Sequence, residues 1–370
     1  MPRRHRHLVV AALALLAITG MAACGSSDKK SSSTGSSSGA KGKTIALLLP
    51  ETKTTRYEAH DRPDFEAQIK RDCPSCKVIY ANATQDPQKQ QTQAESALTD
   101  GANVLVLDAV DVKSAVTIVN RAAQSKVPVI AYDRLIPDAD LYAYVSFNNV
   151  RQGQIQAQTL LNKLGPNVKG KKIIMINGAP TDPSAGDYKK GAHMVFDRSG
   201  VTIAKEYDTS DWSPDKAQRE MEQAITAVGK NGFVGVYSAN DGMAGGAIAA
   251  MESAGIKPGA VPITGGDAEV AAIQRILAGD QFSTIYLTIK KQAQVSADLA
   301  LAAANGQPPP PGVINAKVNN GKEDVPSVLL TPVSVTKENI DATVIKDGFY
   351  TPDEICTGKF ASACAAAGLT

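Results

Sequence analysis

The stretch Val127-Pro128-Val129-Ile130-Ala131-Tyr132-Asp133-Arg134 decides the fold of this chain. An apolar run that is typical of a buried strand leads directly into a carboxylate and a guanidinium. Strands buried on both faces belong to parallel sheets, and open α/β sheets bind ligands at the carboxyl ends of their strands. Asp133 can accept and Arg134 can donate several hydrogen bonds, so the pair matches the hydroxyls of a vicinal diol. Taken alone, the two residues fit an ion pair at a turn equally well.

The rest of the chain repeats this pattern. From residue 43 onward, short apolar runs alternate with segments of helical periodicity. Repeated βα units with short connections predict a parallel sheet that is covered by helices on both faces. The alternation pauses near residues 137–146 and then restarts. The sequence therefore predicts an α/β protein with two Rossmann-like lobes.

The two predicted lobes exchange segments of the chain. We expect residues 43–147 and about 289–325 in the N-terminal lobe, and residues 148–288 and about 326–350 in the C-terminal lobe. Three passages between the lobes predict a three-stranded hinge rather than a rigid junction. Residues 351–370 remain as a C-terminal extension.

The N-terminus has the pattern of an export signal. Three arginines within the first six residues precede an uncharged apolar run, residues 8–23. This run is short for a membrane span of ~20 residues, which favours processing over a transmembrane anchor. The small residues before Cys24 resemble a bacterial lipobox, with Met21 where leucine is usual. The resemblance implies a signal peptide at residues 1–23 and a lipid on Cys24.

The segment after the signal predicts a tether. Residues 24–42 are rich in serine and glycine and have almost nothing to bury. We therefore expect an exported protein that is held by its lipid at the outer face of the cell membrane. Removing residues 1–23 takes three of the 39 basic residues and no acidic one, leaving 36 against 37. A body so close to neutral gives no reason to expect nucleic-acid binding.

Four further cysteines form two close pairs. An even number of cysteines in an exported chain predicts two disulfides, Cys73 with Cys76 and Cys356 with Cys364. A redox role is the alternative for the first pair. It is disfavoured because this pair lies between a predicted helix and a strand, whereas a thioredoxin motif opens a helix.

Polar side chains follow the predicted strands in both halves. They are Glu51, Asn82, Asp108, Asp133, Asn177, Asn240, Asp241 and Asp267. Some acidic residues near these positions must cap helices, and a cap is the preferred interpretation for Asp86 and Asp111. Tyr57 and Trp212 fall near the same edge. A flat aromatic face suits the C–H face of a pyranose, although Trp212 as a hydrophobic staple is the alternative.

The sequence lacks the motifs of metal and nucleotide sites. His60 and His193 have no partner at metal-ligand spacing, and neither a nucleophile elbow nor a P-loop occurs. We expect no metal, no cofactor and no enzymatic activity. A secreted glycoside hydrolase is the alternative, because two carboxylates roughly 5 to 9 Å apart can cleave glycosides.

Several stretches resemble one family. They are Ala131–Asp140, Ser146–Asn149, Ala239–Asp241, Gly266–Ala268 and Asp324–Phe349. They are similar to the periplasmic sugar-binding proteins of ABC transporters, in the ribose/galactose/xylose class, and most similar to its xylose-type members. The resemblance implies a monomer of the type I periplasmic binding protein fold. It also implies a monosaccharide ligand, D-xylose or a related aldopyranose, and delivery to a permease that a cytoplasmic ATPase drives.

The same resemblance implies a set of sugar contacts. Carried over by position, they are Arg56, Tyr57, Asp133, Arg134, Asn149, Trp212, Asn240 and Asp267. One position departs from the xylose pattern, because Leu287 stands where those members have a lysine. Loss of a hydrogen-bonding partner changes specificity, so another hexose or polyol is the alternative ligand. On this basis Leu287→Lys is expected to strengthen xylose binding.

Cys24→Ala is predicted to release the protein from membranes, because the thiol that carries the lipid is removed. Fractionation of cells into membrane and soluble material measures the change, with Ser26→Ala as the matched control. Retention of Cys24→Ala in the membrane fraction would contradict the anchor.

Overall fold

The computed structural model describes residues 42–369, so the signal peptide, Cys24 and nearly all of the tether lie outside the described residues. The strands are β1 (Thr44–Leu49), β2 (Lys77–Asn82), β3 (Val104–Leu107), β4 (Val129–Tyr132), β5 (Ala143–Phe147), β6 (Lys172–Asn177), β7 (Thr202–Asp208), β8 (Gly235–Ser238), β9 (Thr284–Tyr286), β10 (Ala316–Asn319), β11 (Asp324–Leu330) and β12 (Val333–Val335).

The helices alternate with the strands over most of the chain. They are α1 (Arg62–Asp72), α2 (Pro87–Thr99), α3 (Val112–Gln124), α4 (Asn149–Leu164), α5 (Pro183–Ser199), α6 (Pro214–Val228), α7 (Asp241–Ser253), α8 (Val270–Ala278), α9 (Ile289–Ala304), α10 (Pro352–Ile355) and α11 (Ala361–Ala366). A π-helical turn, Tyr57–Asp61, leads into α1. Among residues 42–369, no helix has both the length and the apolar character that a membrane crossing requires.

A seven-stranded sheet forms the N-terminal lobe, in the order β10-β11-β5-β4-β3-β1-β2. All its pairings are parallel except that of β10 with β11. In β4, Ile130 and Tyr132 pack into one apolar core of this sheet, and Val129 and Ala131 pack into the other. This alternation follows from the two-residue repeat of a strand, and it explains why β4 is apolar throughout.

The C-terminal lobe has a smaller parallel sheet, in the order β7-β6-β8, and a separate antiparallel pair of β12 with β9. Beyond β8, one isolated parallel bridge joins Val236 to Ile263. The predicted α/β architecture of two Rossmann-like lobes is confirmed.

The chain passes between the lobes three times. The passages lie between β5 and α4, between β9 and α9, and between β11 and β12. The sequence-based boundary at about residue 326 is wrong, because β11 pairs with β5 as far as Leu330. The composition of β11, with apolar residues such as Val325 and Val328 beside Asp324 and Ser327, does not indicate which sheet the strand joins.

Both cysteine pairs are joined in the structure. The Cys73–Cys76 bond, with an S–S distance of 1.99 Å, lies between α1 and β2. The Cys356–Cys364 bond, at 2.18 Å, links the end of α10 to α11 in the C-terminal extension. Gln274 of α8 donates a hydrogen bond of 2.8 Å to the carbonyl of Ile355, so this extension is attached to the C-terminal lobe.

Candidate ligand-binding site

A cavity lies at the carboxyl ends of the strands of both lobes. The residues that line it are Thr54, Arg56, Tyr57, Asp133 and Arg134 from the N-terminal lobe, and Asp182, Tyr188, Trp212, Ala239, Asn240 and Asp267 from the C-terminal lobe. Seven of the eight contacts that the resemblance implied are among them, and the exception is Asn149. The strand ends of two separate sheets therefore supply one site.

Asp133 directly follows β4 and enters the cavity with a left-handed backbone, φ 62°. Its amide donates to the carbonyl of Val145 at 2.8 Å, which fixes this unusual conformation. Its carboxylate accepts from the amide of Gln292 at 2.9 Å and lies 3.4 Å from the guanidinium of Arg56. Non-glycine residues in this backbone region are uncommon and cluster at ligand sites, where the surrounding structure imposes the conformation.

Arg56 is held from several sides. Its Nε and Nη2 donate to the two oxygens of Asp61 at 2.9 and 2.8 Å, and Nη2 also donates to Gln292 at 2.6 Å. Burial opposes the charge, but the carboxylates of Asp133 and Asp61 raise the pKa of Arg56 well above its usual value. A fixed, permanently charged fork therefore faces the cavity.

Arg134 is almost fully buried, with 2% of its surface exposed. Its Nη1 donates to the carbonyl of Ala109 at 2.8 Å, and its Nη2 donates to the hydroxyl of Tyr57 at 3.4 Å. Its Nε lies 2.9 Å from Asp182 and 3.4 Å from Asp108. The ion pair with Asp182 joins the two lobes directly beside the cavity.

Trp212 packs closely against the glycine that follows β6, Gly178. Its Nε1 donates to Asp182 at 3.2 Å. A Cβ atom on Gly178 would stand 2.1 Å from the indole ring, so only glycine leaves room for it. Tyr188 packs edge-on against the indole, with ring centroids 6.3 Å apart. The aromatic side chain thus forms an oriented wall of the cavity.

Asn240 and Asp267 complete the C-terminal side. Asn240 caps α7 by accepting from the amide of Met243 at 3.0 Å, so it has both a structural role and a place in the cavity. Asp267 has φ 87°, and its amide donates to Ile285 at 2.9 Å. Burial raises the pKa of the Asp267 carboxyl well above its usual range, although Arg56 opposes this.

Asp241 supports this side from below. Its oxygens accept from Gln281 at 2.7 Å, from Thr284 at 2.7 Å and from the amide of Glu269 at 3.0 Å. Burial and the nearby Glu269 carboxyl raise the pKa of Asp241 to about 7. Asp241 therefore connects the start of α7 to the strand that leads out of the lobe.

Sequence reasoning missed several residues of the site. The sequence indicates Asn177 as the polar residue after β6, whereas the cavity is lined by Asp182, from the Thr-Asp-Pro sequence that opens α5. That sequence indicates a cap, and one Asp182 oxygen does accept from the amide of Ser184 at 2.8 Å. Its other oxygen faces Arg134 and Trp212. Tyr188 gives no local signal, since it enters the cavity only through the packing of α5.

Other strand-end residues lie away from the cavity. Glu51 turns back to accept from the amide of Thr54, and Asn177 donates to Glu206 and Asp208. Asp86 and Asp111 cap α2 and α3, as predicted.

The structure does not bring Asn149 into the cavity. Its amide donates to the hydroxyl of Ser184 at 3.0 Å, and that hydroxyl in turn donates to the carbonyl of Asp133 at 3.3 Å. Asn149 lines a neighbouring pocket, together with Leu135 and Phe147. It therefore lies behind the wall that carries Asp133.

Leu287 is also absent from the cavity lining. It is 0% exposed and belongs to an apolar cluster that includes Phe147, Ala268 and Ile273. A lysine here would place its ammonium group among apolar side chains, which is costly without a partner. The expectation that Leu287→Lys strengthens sugar binding is therefore not supported by this position.

The chain is similar to known proteins over most of its length. The profile of the periplasmic binding protein domain matches residues 45–308. The D-xylose-binding periplasmic protein of Escherichia coli (strain K12) is 35% identical over 315 residues, which cover 84% of this chain and 92% of that protein. The multiple sugar-binding periplasmic receptor ChvE of Rhizobium radiobacter is 30% identical over 330 residues, which cover 84% of this chain and 92% of that protein.

A solved structure shows the same architecture. The ABC transporter solute-binding protein of Clostridium phytofermentans, crystallised with β-D-glucose, has a TM-score of 0.76 and 25% identity, covering 85% of this chain and 100% of that one. The domain match, the identity to relatives and the shared two-lobe fold agree with one another. The chain is a type I member of the periplasmic binding protein family.

Proposed function

We propose that this protein is the substrate-binding component of a sugar ABC importer. It binds a monosaccharide, D-xylose or a related aldopyranose, between two closing lobes and delivers it to the permease. A cytoplasmic ATPase drives that permease. The members of the family are binding proteins, and this chain is accordingly a binding protein rather than an enzyme.

The observation that carries the proposal is the chemistry of the cavity. Each sugar hydroxyl needs a donor and an acceptor, and the lining supplies fixed donors from Arg56 and Arg134. Acceptors come from Asp133 and Asp267. The indole of Trp212 offers an apolar face for the C–H groups of the ring. Few other small molecules need such a dense polar rim beside one flat aromatic wall.

The carboxylates of the site are held in fixed orientations by hydrogen bonds and ion pairs, as a binding site requires. Asp133 accepts from Gln292 and lies beside Arg56, and Asp182 is shared by Arg134 and Trp212. Oriented acceptors of this kind select hydroxyl positions because an unmatched hydroxyl leaves a buried polar group unpaired.

The aldopyranose assignment is supported by the names of the relatives, two of which are D-xylose-binding proteins that are 35% identical to this chain. The solved structure with β-D-glucose also supports a pyranose ligand, in that case one that carries an additional hydroxymethyl group. Since Leu287 replaces a lysine of the xylose-type pattern and lies in the apolar core, the exact hydroxyl pattern of the ligand is selected by other residues.

The location follows from the N-terminal sequence. We propose export through residues 1–23, a lipid on Cys24 and a tether of residues 24–42 that lets a monomeric body reach a permease in the same membrane. A lipid anchor keeps the receptor in the same membrane as its permease, which raises the effective concentration of the receptor at the permease.

Calorimetric titration of residues 25–370 with pentoses, hexoses and polyols tests the proposed function. D-xylose or a related aldopyranose is expected to bind with one site per chain. If only a polyol or an aldohexose outside this group binds, the xylose assignment fails and the receptor class remains. If no sugar binds and a glycoside is hydrolysed instead, the receptor class fails as well.

Arg134→Ala is predicted to weaken sugar binding far more than Asp111→Ala. The first change removes charged hydrogen bonds inside the cavity, worth about 1.5–3 kcal/mol, or roughly 10- to 150-fold in the dissociation constant. The second removes the cap of α3, which costs about 1 kcal/mol of stability without a sugar contact. Equal losses of affinity in titrations of the two variants would show that the site is elsewhere.

Leu287→Lys is predicted to lower the free energy of unfolding by about 3 kcal/mol, because an unpaired ammonium would be buried. Leu287→Met, which conserves volume, is the control and is expected to cost about 1 kcal/mol or less. Urea denaturation measures both. A Leu287→Lys variant that is as stable as the control and binds D-xylose more tightly would contradict this placement of the residue.

A further inference from the structure

One guanidinium faces carboxylates from both lobes. The Nη1 of Arg134 is fixed to its own lobe by the carbonyl of Ala109, while its Nε lies between two acids. Asp182 of the C-terminal lobe is 2.9 Å away, and Asp108 of the N-terminal lobe is 3.4 Å away. Arg134 therefore has one partner that moves with it and one that belongs to the opposite lobe.

Asp108 is unusual among the acids of this region. It follows β3, is 0% exposed and does not line the cavity. Neither of its oxygens has a hydrogen-bond partner among residues 42–369. One of its oxygens lies 3.4 Å from the Nε of Arg134, but a fully buried carboxylate that lacks hydrogen bonds still destabilises the conformation that contains it. A purely structural role in this closed arrangement does not explain its presence.

Asp182 is supplied with partners of its own lobe. It accepts from the amide of Ser184 at 2.8 Å and from the indole of Trp212 at 3.2 Å. If the lobes separate, these bonds remain and water can solvate the rest of the carboxylate. Arg134, in contrast, then has Asp108 as its nearest carboxylate partner.

We propose that Arg134 exchanges its main carboxylate partner during closure: Asp108 is its nearest acid in the open form, and in the closed form Asp182, at 2.9 Å, takes over from Asp108, which stays at 3.4 Å. Asp108 is then a positioning residue that favours the open, ligand-free form and lowers sugar affinity from outside the cavity. This inference rests on the proposed function, because it concerns the closure that the sugar stabilises. A ligand gains apparent affinity when the competent conformation is already populated, so weakening the open form tightens binding.

The exchange of partners also predicts that Asp108 takes up a proton when the lobes close. In the closed structure burial raises the pKa of the Asp108 carboxyl well above its usual range, and Arg134 only partly opposes this. The other charged groups that act on it are Asp133 and Asp182, which raise its pKa further, and Arg56, which lowers it. A carboxyl whose pKa is higher in the closed form takes up a proton on closure. Sugar binding is therefore favoured as the pH falls towards the pKa of the open form.

Asp108→Asn and Asp182→Asn separate the two roles. Asparagine keeps the size of aspartate, and at position 182 its one oxygen still accepts from the amide of Ser184 at the helix cap, while the hydrogen bond from the indole is lost together with the charge. The fraction of closed protein without ligand is measured by fluorescence energy transfer between labels on the two lobes. Asp108→Asn is expected to raise this fraction and to tighten binding of the best sugar of the panel about 10-fold, while Asp182→Asn is expected to lower both.

Two controls fix the interpretation. Asp111→Asn changes a half-buried helix cap three residues after Asp108 in the same lobe and is expected to alter neither quantity. Asp108→Ala repeats the loss of charge with a different side chain and is expected to change both in the same direction as Asp108→Asn. Circular dichroism establishes that each variant is folded before it is compared.

Proton uptake gives an independent readout. Calorimetry in two buffers of different ionisation heat measures the protons bound with the sugar, and Asp108→Asn is expected to take up fewer than the parent. Unchanged closed fraction and unchanged proton uptake in both Asp108 variants, with sugar still bound, would overturn the exchange. If no sugar binds the parent, the proposed function fails, and the ligand-free closed fraction of the variants alone decides the exchange.

Discussion

The cavity depends on the balance of charge around two buried guanidinium groups. Arg56 and Arg134 both belong to the N-terminal lobe and both lie beside acids that are largely removed from water. A buried ion pair contributes little net stability, but removing one partner is expensive because the other charge is left unpaired. The arrangement is therefore better at fixing geometry than at strengthening the fold. Each charged side chain has little freedom, which is the condition for recognising a small polar ligand.

Backbone conformation adds to this fixation. Asp133, Trp212 and Asp267 all have a positive φ, between 52° and 87°, and all three line the cavity. Conformations of this kind cost about 1–3 kcal/mol each and persist only where the surrounding structure imposes them. They aim side chains into the cleft that an ordinary strand end would direct elsewhere. The site is thus organised largely before a ligand arrives, which reduces the entropy lost on binding.

Much of the fold follows from the sequence because its periodicity is strong. The bounds of α2, β3 and α4 agree with the apolar pattern, and the cap residues Asp86 and Asp111 act as expected. The failures have physical causes. The sheet that β11 joins is set by packing over long distances, which local composition does not record. Asp182 is not indicated by the sequence because a single residue serves as cap, acceptor and ion-pair partner. Asn149 is predicted as a sugar contact but does not line the cavity, because its position in a motif does not fix the direction of its side chain.

The order in which the polypeptide emerges has a bearing on how the first sheet is completed. The strand β5 is internal to that sheet, yet its partner β11 lies more than 180 residues further along the chain. Until β11 has been synthesised, one edge of β5 is without its neighbour, and helix α9 is also missing from the apolar face that it covers.

Pairing over such a separation slows folding and exposes strand edges to aggregation. A chain that starts to fold only after its whole length has been released avoids this interval. Neither lobe can be obtained by simple truncation, and a circular permutation that brings residues 289–330 next to β5 would shorten the critical contact.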